Sequence, residues 1–202
     1  MINVIFSFLI SYLCGSLMFS YWLGKIKGKD IRKVRDGNPG AYNLFKVAGW
    51  FSGFIGGFLD FSKGFIPIFF IRNSEGIGNI GIALSAVFAV LGHAFSPFLN
   101  FRGGKAISVS FGCWTALTYW EAPLILGAAL SLLSIKRFSG KEPSPEEDSF
   151  KVLIAFSFLG PYSLIRGRFL VVFWLLNYFL IIYKHKLELK KYFKIERSLK
   201  WL

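Results

Sequence analysis

The sequence is poor in the residues from which most active sites are assembled. It has two histidines, His93 and His185, and two cysteines, Cys14 and Cys113, in 202 residues. The histidines are far apart and the cysteines sit inside apolar runs, so no metal-ligand cluster is expected, and each cysteine reads as a small buried thiol rather than half of a disulfide. Nothing in the chain calls for a cofactor. Charge is scarce as well: 17% of residues are charged against 54% hydrophobic and 19% aromatic, with a mean hydropathy of +0.52. So little polar surface does not cover a soluble globule, which leaves lipid as the medium. Acids are scarcest, 11 against 24 Lys and Arg, for a net charge of +13. Such a charge suits nucleic acid or an anionic membrane surface, and because the cations lie between apolar runs the membrane is the expected partner and nucleic acid is not. An internal repeat is also missing, which counts against a transporter built from paired halves.

What is present is a series of apolar runs. Residues 2–24 are long enough to cross about 30 Å of hydrocarbon and lack the basic start of a signal peptide, so they read as a retained first helix. Apolar runs follow at 47–71, 77–91, 106–120, 123–135, 152–165 and 169–183. Gly49, Gly53 and Gly57 in the second run form a small-residue ladder for close helix contact. Asp60 and Lys63, on one face of that run, read either as a structural ion pair or as part of a site. The expectation is an all-α, polytopic membrane bundle of about seven transmembrane helices, a single integral membrane domain over 1–202. With the N-terminus outside, the loops after crossings one, three and five and the tail hold 20 of the 24 cations, against Arg72, Arg166 and Arg168 in the others. That asymmetry places those loops and the C-terminus in the cytoplasm. Residues 136–151 read as a polar loop, and the tail from 184 as an interfacial helix with Tyr192, Ile195, Leu199 and Leu202 on one face.

Two polar turns interrupt the runs. The stretch 32–46 carries Arg32, Lys33, Arg35 and Lys46 around Gly37-Asn38-Pro39-Gly40, residue types that aim successive backbone N–H groups into one concavity suited to an anion. Asn38 and Asn43 add amide donors. Gly103-Gly104-Lys105 repeats the logic of a phosphate cradle at the start of a helix. Either turn alone also reads as a solvated loop whose charge only sets topology. Two on one face suit a site that holds two phosphate-bearing molecules.

These residues carry a resemblance that runs through nearly the whole chain. Tyr12-Leu13-Cys14-Gly15-Ser16, Asp30-Ile31-Arg32, Gly37-Asn38-Pro39-Gly40-Ala41 with Asn43, Asp60 with Lys63, Gly64 and Pro67, then Gly92-His93 and Phe98 through Phe101-Arg102-Gly103-Gly104-Lys105 resemble the motifs of the bacterial membrane glycerol-3-phosphate acyltransferases that use acyl phosphate as donor. The resemblance implies an acyltransferase of phospholipid biosynthesis in the bacterial inner cell membrane, with its site on the cytoplasmic face. It would move a fatty acyl group from acyl phosphate to the 1-hydroxyl of glycerol 3-phosphate, giving lysophosphatidic acid, with the acyl-phosphate-forming enzyme as a candidate partner. It implies Lys105, Lys46, Asn43 and His93 as catalytic residues. It implies Arg32, Asp36, Gly37, Asn38 and Gly40 from the first turn and Gly103, Gly104, Ser139, His185 and Glu188 beyond it as phosphate-binding ones. A bound phosphate can take the hydroxyl proton while cations stabilise the developing charge, so no further acid or base is required.

The departures are as informative. Arg35, Asp36, Tyr42 and Lys46 stand where the family's first loop has Gly, Ser, Thr and Arg, and the third motif is reduced to His185 with Glu188 and Lys191. A carboxylate at 36 repels a phosphate unless it is compensated, and Arg35 is the expected partner. An altered-substrate or inactive paralogue, or an organophosphate transporter, are the rival readings. The pattern of His followed by Asp five residues on, used by soluble-type glycerolipid acyltransferases, is absent: Phe98 and Lys190 stand five residues beyond the two histidines.

Overall fold

The computed structural model describes residues 3–135 and 143–199, and among these every regular element is a helix. Residues α1 (Val4–Ser16) and α2 (Phe19–Ile26) make one broken span. They are followed by α3 (Ala41–Arg72), α4 (Asn79–Ala94), α5 (Ile107–Thr118), α6 (Glu121–Leu133), α7 (Pro145–Ser157), α8 (Leu159–Arg166) and α9 (Arg168–Leu199). Five stretches, Val4–Ile26, Ala41–Arg72, Asn79–Leu99, Pro145–Arg166 and Arg168–Lys194, are long and apolar enough to cross a bilayer. Helices α5 and α6 are apolar but short, on the order of 20 Å each at 1.5 Å per residue.

The chain runs back and forth between two ends. At one end Arg72 donates to the Ala116 carbonyl at 2.8 Å, and Glu121 accepts from Tyr162 at 2.7 Å and Arg166 at 2.6 Å. At the other end the loop after α2, the start of α5, the start of α7 and the distal part of α9 meet. Polar loops of the first, third and fifth turns and the distal part of α9 therefore share one end.

Helix α3 differs from a straight apolar run. Gly49 adopts φ 81°, ψ 170°, a conformation that an L side chain avoids. The chain reverses there, laying residues 41–48 back along 50–57: a Cβ on Gly53 would lie 2.5 Å from the Phe45 Cβ and one on Gly57 3.2 Å from that of Ala41. Gly49 is thus a hinge, not a rung of a helix-contact ladder, and the short returning limb is what carries Asn43 to the polar end. The 136–151 stretch is likewise not all loop. Ser144 accepts from the Glu147 N–H at 3.1 Å while Glu147 reaches back to the Ser144 N–H at 3.2 Å, and with Pro145 in the first turn this capping box starts α7 early. Glu146, Glu147 and Asp148 in that first turn also complement the helix dipole. Nor is there a separate tail helix, since α9 continues unbroken to Leu199 and Tyr192 stacks on Phe150 of α7 with ring centroids 4.4 Å apart.

Two groups of polar side chains at membrane depth find partners in place. The break at Leu17 and Met18 strips a carbonyl of its helical partner, and Lys63 donates to that Leu17 oxygen while pairing with Asp60 at 2.9 Å. Ser20 donates to the other Asp60 oxygen at 2.5 Å. The ion pair is therefore part of the fold, closing the helix break, since a lone charge at this depth would cost several kcal/mol. Trp114, Asn177 and Ser110 form a second buried chain, at 3.1 and 2.8 Å.

The α3–α5 seam rests on backbone contact, because a Cβ on Gly112 would sit 2.1 Å from the Phe61 carbonyl oxygen. Gly112→Leu should lower stability by about 1–3 kcal/mol or more in thermal unfolding of detergent-solubilised protein. Gly127→Leu, on α6 with open space around it, should leave the melting temperature nearly unchanged.

Candidate active site

Lys105 stands where three segments converge. Ala106, in the left-handed region at φ 63°, ends the loop and starts α5, so Lys105 is held one residue ahead of a helix N-terminus. Its ammonium lies 2.8 Å from Asp36 Oδ2 on the first loop and 3.1 Å from Glu188 Oε1 on α9, and its backbone N–H donates to Asn38 Oδ1 at 3.0 Å. The two glycine turns are thereby joined by side chains rather than merely facing the same way.

Two cavities share this lysine. One, about 360 Å³, is lined by Ala41, Phe45, Gly53, Ala106 and Ile107 as well as Gly40, Asp60, His93 and Lys105. The other, about 300 Å³, is lined by Arg35, Asp36, Asn43, Lys105, Asp148, Lys151 and His185, with Ser134 and Ser149. Asn38, Tyr42 and Ile107 border both. Both have apolar walls, the second through Leu130, Pro145 and Val152, but the second holds more of the charged side chains.

The first loop is organised by Asn43. Its amide nitrogen lies within hydrogen-bond distance of the carbonyls of Ile31, Val34 and Asn38, at 3.4, 3.0 and 2.9 Å, and of Asp36 Oδ1 at 2.9 Å. Asp36 Oδ1 also accepts from the Asn38 N–H at 3.2 Å, leaving Oδ2 for Lys105. Burial pushes the Asp36 carboxyl upward, but the Lys105 ammonium and the Asn43 and Asn38 donors outweigh it and hold the group below its usual value. The stabilisation that Asp36 contributes is therefore complete above about pH 4, the unfolded value, and is lost as pH falls through the lower folded one.

Arg35 and Asp36 form the expected pair only at the long end of ion-pair range, and each has a closer partner. The left-handed backbone at Arg35, φ 53°, turns its guanidinium toward α7. There it donates to Asp148 at 2.6 Å and to the Pro143 carbonyl at 3.2 Å, whereas its other nitrogen is 3.9 Å from Asp36. Asp148, hidden in the sequence within an acidic stretch, is thus a site residue that the Ser-x-x-Glu cap before it would have placed.

The remaining expected residues fall into two groups. His185 is buried, its Nδ1 2.8 Å from the Ile181 carbonyl; with the proton on Nδ1, Nε2 is the acceptor of the neutral ring that lines the second cavity. His93 is buried with Nδ1 unbonded among the described residues, and a Cβ on Gly104 would fall 2.3 Å from its Nε2, so this glycine is what lets ring and loop stack. Gly103 packs equally close to the His93 carbonyl, Gly37 turns the first loop at φ 70°, and Gly40 caps α3. Arg32 is turned away: it forks onto Asp30 at 3.0 and 2.8 Å and stacks over Tyr21 at 4.7 Å. Lys46 lies over the Tyr42 ring at 5.6 Å and lines neither cavity. Ser139 lies outside the described residues.

The family model for glycerol-3-phosphate acyltransferase matches residues 5–195. The chain belongs to that family. It is 46% identical over 193 residues to glycerol-3-phosphate acyltransferase 1 of Thermotoga maritima, covering 92% of this chain and 95% of that one. It is 32% identical over 183 residues to glycerol-3-phosphate acyltransferase of Thermosipho melanesiensis, covering 90% and 85%. In structure it is similar to PlsY (YgiH), an integral membrane glycerol 3-phosphate acyltransferase. The glycerol 3-phosphate form matches with a TM-score of 0.77 at 30% identity, over 98% of this chain and 92% of that one. The lysophosphatidic acid form matches at 0.75 and 29%, with the same coverage.

Within this acyltransferase fold Asn43 is the organiser of the loop. Asn43→Ala should remove about 1–3 kcal/mol of local stability and raise amide hydrogen exchange across 31–40. Unchanged exchange with lost turnover would instead make Asn43 a residue that acts on substrate.

Proposed function

We propose that the chain transfers a fatty acyl group from acyl phosphate to the 1-hydroxyl of glycerol 3-phosphate, releasing phosphate and forming lysophosphatidic acid. The observation that carries this is Lys105 at the junction of two cavities, of which the second holds more of the charged side chains. The acyl carbonyl of the donor enters from the first, and the acceptor from the second, where Arg35, Lys151 and His185 are at hand. The hydroxyl oxygen attacks the acyl carbon, the acyl–phosphate bond breaks, and the departing phosphate takes the hydroxyl proton. Lys105 stabilises the charge that passes to the phosphate. Asp36, Asn38, Asn43 and Glu188 position Lys105. His93 and Gly40 border the donor side, and Lys46 and Arg32 serve from outside the two cavities as steering charge.

The printed descriptions of PlsY, a glycerol 3-phosphate form and a lysophosphatidic acid form, support this acceptor and product. The cation count supports seven crossings of a bacterial inner membrane by one domain over 1–202. In that arrangement the N-terminus is outside, and the C-terminus and both glycine turns are cytoplasmic, within reach of a soluble acceptor and of an acyl-phosphate-forming enzyme. A second reading, an altered acceptor, is favoured by one observation: both carboxylates on Lys105, Asp36 and Glu188, oppose a dianion.

Purified protein given acyl phosphate and a panel of phosphorylated and free polyols, read by mass spectrometry, should yield lysophosphatidic acid from glycerol 3-phosphate. Lys105→Ala should cut turnover by roughly 100-fold or more, while Lys29→Ala stays near wild type. Equal activity of the two variants would overturn the role of Lys105, and product from another polyol alone would establish the second reading.

A further inference from the structure

A third cavity, about 300 Å³, shares no lining residue with the other two and is bordered by Arg102, Lys184, Lys186, Phe101, Tyr183 and Leu187 among others. Its charge differs in kind from that of the active site. There, Lys105 and Arg35 each face a carboxylate, whereas the residues lining this cavity include three cations and no acid. Lys184 donates to the carbonyls of Ala94 and Gly103 at 2.8 and 2.9 Å, which fixes it in place without neutralising it. Lys186 lies 4.1 Å over the Tyr183 ring, and the exposed Arg102 has no ion pair among the described residues.

The rim is apolar. Phe101 is 63% exposed and Leu187 64%. Phe101 and Asn100 are both left-handed, at φ 60° and 51°, a costly conformation for a bulky aromatic residue. The loop thus holds Phe101 outward under strain, and no burial within the chain compensates for it. An unneutralised cationic cup with an aromatic rim, on a membrane helix at its polar end, matches a phosphate that carries acyl chains.

We propose that this cavity binds the phosphate headgroup of an anionic phospholipid, its chains lying over Phe101 and Leu187. The headgroup's oxygens meet Arg102, Lys184 and Lys186. A zwitterionic headgroup adds a cation that these three repel. Because Lys184 also holds Ala94 and Gly103, the lipid sits against the loop that presents Lys105. The assignment does not depend on the acyl-transfer chemistry.

The test is native mass spectrometry of detergent-solubilised full-length protein with phosphatidylglycerol or phosphatidylcholine. Arg102→Gln/Lys186→Gln is compared with Lys29→Gln/Lys33→Gln, which removes the same charge from another exposed loop at the same end. Wild type and the second variant should retain phosphatidylglycerol well above phosphatidylcholine, and the first should lose roughly tenfold in that retention. Unaltered melting checks that its fold is intact. Equal retention by both variants, equal loss in both, or displacement of the lipid by excess inorganic phosphate would overturn the proposal, the last by assigning the cup to a soluble phosphate.

Discussion

The ion triad of Lys105 with Asp36 and Glu188 ties together the three parts of the chain that would otherwise meet only as loops. Asp36 belongs to the turn after α2, Lys105 to the turn before α5, and Glu188 to α9. Each carboxylate is mostly buried, so their attraction for the ammonium is less screened than at an open surface. The same contact stands where two cavities meet, with Lys105 lining both. It also means that any anion at Lys105 shares the ammonium with two carboxylates.

The remainder of the fold serves to bring those segments to one end. The Gly49 reversal supplies a short limb that plants Asn43 under the first loop, and the α7 cap extends that helix so that Asp148 reaches Arg35. Deeper in the bundle, backbone groups released by irregular geometry find side-chain partners: Lys63 and Ser96 take the carbonyls around the α1–α2 break, and Lys184 takes those at the end of α4. In a medium without water such pairing is a requirement of the fold.

The helical segments were legible in the sequence because membrane-length apolar runs leave few alternatives, and the family was legible because its glycine and lysine motifs survive at their spacings. The pairing within the site was not. Adjacency in sequence suggested that Arg35 compensates Asp36, but a left-handed backbone at Arg35 sends the two side chains to different partners. Arg32 looked as eligible as Lys105 by charge alone, and only the local fork onto Asp30 removes it from the cavities. Gly49 read as a helix-contact residue because small size and positive φ leave the same letter in a sequence. The start of α7 was the one miss with a local signal, the Ser144 to Glu147 box.

The central claim is that Lys105 meets the phosphate leaving the donor in competition with its own carboxylates. The measurement closest to that claim is the KM for acyl phosphate of Glu188→Gln, which keeps the side chain's size and removes its charge. Relief of one pairing, worth about 1 kcal/mol when partly screened, should lower KM about fivefold with turnover little changed. A KM that is unchanged or raised would contradict the account.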